Sequence, residues 1–186
     1  PLAWRLKQDV LGRWVREPSP ILLGAACRST MAGIAIEKRL TTFSRYPALL
    51  ILVPAFISSA GALGGILSSR LSTKLHLGLM APASFPNRDA RADGSLILLL
   101  GLPVYLFNAV GAHFVGRLLG QASPGLLDMT LVSMLGGVFA VLFVIIVAYS
   151  GTIAAVRFGA APVTDGIPLL TSSVDCVGAV ALLVAL

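Results

Sequence analysis

The stretch from Thr130 to Val156 holds no charged residue, and no other feature constrains the chain as tightly. About 20 apolar residues in helical form cross the hydrocarbon core of a bilayer, and this stretch exceeds that length. Its residues do not alternate between apolar and polar, as the strands of a closed barrel must. In lipid every backbone N–H and C=O has to be satisfied internally, so a helix is the remaining way across. Four further stretches, at roughly 20–37, 47–69, 95–116 and 167–186, have comparable length and character. With 56% apolar residues, 12% charged residues and a mean hydropathy of +0.90, the chain carries more oily surface than one soluble core of 186 residues buries. The expectation is an all-α integral membrane protein of five transmembrane helices.

Leu2, Leu6, Val10, Leu11, Trp14 and Val15 recur at helical spacing among Arg5, Lys7, Arg13 and Arg16. That pattern predicts a short amphipathic interfacial helix, with a plain basic lead-in to the first span as its alternative. Pro18 and Pro20 end it. Two regions follow: a cytoplasmic lead-in over 1–19 and one membrane domain over 20–186. Pro1 at the start and the apolar end at Leu186 suggest a portion of a longer polypeptide. Cys27 and Cys176 lie in apolar runs without CxxC spacing and are expected to be buried free thiols. Arg28 interrupts the first span and is expected to snorkel or to face the bundle interior.

The net charge of +6 does not mark a nucleic-acid binder, because the basic residues sit in short connections between apolar runs. With the N-terminus inside, the inner flanks hold Arg5, Lys7, Arg13, Arg16, Arg70, Lys74, Arg88, Arg91 and Arg157. The outer flanks hold Lys38, Arg39, Arg45 and Arg117. The bias predicts a multi-pass protein of the cell membrane with a cytoplasmic N-terminus and an outside C-terminus. It also makes the 70–94 connection, with Pro82, Pro86, Asn87, Asp89, Asp93 and Gly94, a cytoplasmic loop.

Among the eight carboxylates, Asp175 alone lies well inside an expected span, about 12 Å beyond its cytoplasmic end at the helical rise. Intramembrane acids are expensive and usually functional. Thr171 stands one turn earlier on the same face, and Ser172 and Ser173 add hydroxyls. Carboxylate, hydroxyl and carbonyl oxygens are what a hard cation prefers, so Asp175 and Thr171 are candidate metal ligands. The alternative is a helix-packing acid paired with Arg28 or with neighbouring hydroxyls. Pro168 either starts this helix or opens its backbone to free carbonyls. Small residues crowd the stretch 54–70, with Gly61 and Gly65 four apart as in helix pairs that approach closely. Close packing alone would account for them. On the functional reading Ser58, Ser59, Gly61, Gly64, Gly65 and Ser68, together with Ser172, line a partly polar pore. His76 and His113 stand alone, and neither is assigned a metal.

Pro168, Asp175 and Val177-Gly178, taken with Val53-Pro54 through Gly61-Ala-Leu-Gly64-Gly65 to Ser69-Arg70-Leu71-Ser72-Thr73, resemble the MgtE-type magnesium transporters and their eukaryotic solute-carrier relatives. The resemblance runs from about Pro20 onward and departs at Ala62, where many members carry Asn. It implies transport of divalent cations, most of all Mg²⁺ as the transported ion. It also implies a pore between two copies of the five-helix unit, as a homodimer or with a second homologous half, each copy contributing one Asp175. Alternatives are Mn²⁺, Co²⁺ or a monovalent cation as cargo, or a non-conducting accessory subunit. An enzyme is not expected: aspartyl chemistry needs a second carboxylate in the site, whereas Asp128 and Asp165 fall at span ends.

Overall fold

The computed structural model describes residues 46–157 continuously, together with Leu23, Gly24, Ala26, Cys27, Thr30, Gly33, Ile34, Glu37, Gly178 and Ala181. The continuous part is three long helices: α1 over Ala48–His76, α2 over Arg88–Leu118 and α3 over Leu126–Arg157. Each is long and apolar enough to cross a membrane. At 29, 31 and 32 residues they run about 43–48 Å at the helical rise. That exceeds a hydrocarbon core of about 30 Å, so their ends reach past it or the helices tilt.

Local chemistry sets the ends. Asn87 caps α2, its side chain accepting from the Ala90 N–H at 3.0 Å, and Asp89 complements the positive N-terminal end of the helix dipole. Helix α1 stops at Gly78, whose φ of +70° suits glycine, with the Leu79 N–H returning to the Lys74 carbonyl at 2.9 Å. Helix α2 stops the same way at Gly120, φ +66°, where the Gln121 N–H reaches the Gly116 carbonyl at 2.9 Å.

These ends correct the expected 70–94 loop. Residues 70–76 continue α1 and 88–94 begin α2, which leaves 77–87 as the connection. Hydropathy reads only the part of a helix inside the bilayer, whereas the polar turns beyond it are held by caps and ion pairs. His76 accordingly lies in the last turn of α1, its Nδ1 2.8 Å from the Ser72 carbonyl oxygen.

All three helices pack on one another. Helix α2 turns a stripe of small residues inward, namely Gly94, Gly101, Ala109, Ala112 and Gly116, at spacings of seven, eight, three and four. Small side chains let helix backbones approach closely. A Cβ on Gly116 would lie 2.8 Å from that of Ala48, and one on Gly101 would lie 2.9 Å from Val141 Cγ2. Gly137 of α3 receives the buried ring of Tyr105, which also meets Phe56 at a centroid distance of 4.7 Å. Phe107, Leu118, Phe139 and Ile146 face outward, as lipid-facing residues do. Cys27, expected to be buried, is exposed. A thiol is a small hydrophobe, and facing lipid costs it little. Cys176, Arg28 and the lead-in over 1–19 lie outside the described residues.

Candidate functional site

The small residues of α1 divide between two faces. Ser58, Gly61, Gly65 and Ser69, at helical spacings of three and four, lie on a face where Ser58 and Ser69 are exposed. A Cβ on Gly65 would meet no atom within 4 Å. Pro54, one turn before Ser58, has no N–H for the Leu50 carbonyl, so a backbone oxygen is released on this side. The open strip therefore offers hydroxyls, a carbonyl and no bulk.

Gly64 and Ser68 point the other way and are buried. The Ser68 hydroxyl pairs with the Thr152 hydroxyl of α3 at 2.9 Å. Ser59 stands between the faces and accepts from Asn108 Nδ2 at 2.8 Å, an amide that also donates to the Ala55 carbonyl at 3.3 Å. The structure thus brings Ser58, Gly61 and Gly65 to one face of α1, open at Ser58 and Gly65, and it gives Ser59 and Ser68 to contacts with α2 and α3. Asn108 and Thr152 are the partners the sequence did not pair with them.

Asp175, Thr171 and Ser172 lie outside the described residues. Gly178, three positions after Asp175 in the chain, is described: a Cβ there would sit 3.7 Å from Ala60 Cβ and 3.9 Å from Ile57 Cα. Ala181 is buried in the core. Gly178 thereby lies against the same two turns of α1 that carry Ser58 and Gly61.

One carboxylate among the described residues is buried within a helix. Asp93 is 3% exposed, and its Oδ1 takes bonds from Arg70 Nη2 at 2.8 Å and Nε at 3.1 Å, while Oδ2 meets Lys74 Nζ at 2.5 Å. Reading 70–94 as loop concealed it. The signal was present in Asn87 as an N-cap six residues earlier, which makes Asp93 helical; that it faces α1 is decided by the packing of the two helices. Arg70 directly follows Ser69, so Asp93 balances two cations at one end of the open strip. His113 Nδ1 lies 3.0 Å from Ser123 Oγ. Among the described residues no three His, Cys, Asp or Glu side chains gather as a metal-binding group.

A family model described as MgtE, divalent cation transporter, matches residues 53–185. The match starts within α1, takes in α2 and α3, and includes the Pro168 to Gly178 stretch. No curated protein and no solved structure matches the chain.

Proposed function

Because this chain belongs to the MgtE family of divalent cation transporters, we propose that its cargo is Mg²⁺ and that the ion passes a site built on Asp175. The observation that supports this reading is the approach of Gly178, three positions after Asp175 in the chain, to Ile57 and Ala60 of α1. Thr171 and Ser172 supply hydroxyl oxygens next to the carboxylate, and Ser58, Gly61 and Gly65 form the facing wall. Mg²⁺ loses its waters reluctantly and keeps several of them, so a wall of glycines and serines that leaves room for a hydrated ion suits it better than a tight cage. Five spans form the unit, with the N-terminus in the cytoplasm and the C-terminus outside. Two such units, as a homodimer or as halves of one polypeptide, enclose the pore, and each contributes one Asp175. Paired carboxylates repel when the ion leaves, which favours entry of the next cation. Oxygen ligands do not by themselves select one metal, so selectivity is part of the test.

The test is Mg²⁺ flux into proteoliposomes, wild type beside Asp175→Asn, with Mn²⁺ and Ca²⁺ as competitors. The expected result is flux in the wild type and none in a folded, inserted mutant. Normal flux through Asp175→Asn would remove that residue from the pathway. A silent wild type would favour an accessory subunit or a missing second half, and preference for Mn²⁺ would reassign the cargo.

A further inference from the structure

Beneath the 77–87 connection lies a groove of about 560 Å³ between α2 and α3, with Leu67 and Leu71 of α1 at its floor. Its walls are mostly apolar, including Leu98, Ile145 and Ile146, and its polar residues are Arg91 and a few hydroxyls. Two hydrogen-bonded side chains of α3 hold the connection over it. Tyr149 Oη donates to the Ala83 and Phe85 carbonyls at 2.8 and 2.9 Å, and Arg157 Nη2 donates to Ser84 Oγ at 3.1 Å. Arg91 spends its Nε on the Pro86 carbonyl at 3.1 Å, and its terminal nitrogens have no protein partner among the described residues. Among the described residues no carboxylate lines the groove.

We infer that this groove is a binding site for an anionic phospholipid of the leaflet on the 77–87 side. An acyl chain fills the space between Leu98 and Ile146, and the phosphate meets the free end of Arg91, with Arg157 adding charge at the rim. The position fits such a ligand. The groove opens at the polar ends of helices that span the membrane, where a headgroup and the first part of its chain reside, and Phe85, 84% exposed, marks that level. Charge also fits: Arg91 lines an otherwise oily cleft and Arg157 is bonded to Ser84 of its lining, and a zwitterionic headgroup gains less from them than an anionic one. A second copy docked through the same groove would bring no described carboxylate to meet Arg91.

The experiment titrates the purified, delipidated protein in detergent with phosphatidylglycerol or phosphatidylcholine and counts retained lipid by native mass spectrometry. The wild type is expected to retain phosphatidylglycerol preferentially. Arg91→Gln should lower that retention about fivefold, the effect of one arginine near an anionic headgroup, and Arg91→Lys should restore most of it. Ser95→Phe, which fills the groove from an exposed position, should exclude the lipid while circular dichroism shows unchanged helix content. Equal retention of both lipids, or undiminished phosphatidylglycerol in Arg91→Gln, would overturn the assignment. So would a Ser95→Phe protein that keeps its lipid but changes its oligomeric state, since the groove would then hold a second copy.

Discussion

Asp93 is the residue whose removal should be felt most widely. It is buried and bonded to both Arg70 and Lys74, whose side chains are 46% and 29% exposed. Breaking a buried ion pair leaves an uncompensated partner, but partners that reach water recover part of the loss. Asp93→Asn should therefore cost about 1–3 kcal/mol of stability, below the full penalty of a buried pair. Arg70→Gln should cost less, because Lys74 still neutralises the carboxylate. Thermal unfolding in one detergent gives both values. An Arg70→Gln protein less stable than Asp93→Asn would show that the charge balance is centred elsewhere.

At the scale of the element, the question is which glycines close the helix bundle and which leave it open. A Cβ on Gly137 would lie 2.5 Å from Tyr105 Cγ and Cδ2, near the root of a ring that is itself buried. The ring cannot swing away, so Gly137→Ala should push α2 and α3 apart and cost about 1–3 kcal/mol, as overpacking does. Gly65→Ala meets open space and replaces glycine inside a helix, so its stability should stay level or rise by about 0.5–1 kcal/mol. If that strip lines the pathway, Gly65→Leu should cut Mg²⁺ flux while the protein remains folded. Unfolding curves and flux on the same preparations separate packing from lining. Full flux through Gly65→Leu would take the strip out of the pore.

For the whole molecule, orientation is the property open to direct test. Ser84 lies in the 77–87 connection and Gln121 between α2 and α3, so the two occupy opposite ends of α2. In a background with Cys27 and Cys176 replaced by Ser, an impermeant maleimide applied to intact cells should label Gln121→Cys and spare Ser84→Cys. That outcome matches the excess of Lys and Arg on the inner flanks. Labelling of Ser84→Cys alone would invert the orientation.

The sequence by itself determined the solvent, the helical class and the family. All three are properties of composition and local order: apolar runs too long for water, a backbone that lipid obliges to bond within itself, and motifs in a fixed sequence. It also located α1, α2 and α3, because the apolar part of each helix is what hydropathy measures. Their polar ends were legible too, in Asn87 and in Gly78, though only as caps and not as apolar runs. The tertiary structure decided what depends on which neighbour faces which atom. One stretch of serines and glycines became an open strip at Ser58, Gly61 and Gly65 and a buried seam at Gly64 and Ser68. Asp93 turned from a loop acid into a buried ion pair. Adjacent helix positions differ by about 100° in direction, so residue type alone does not say which of them meets another helix, and only the packing of α2 and α3 against α1 assigns the faces.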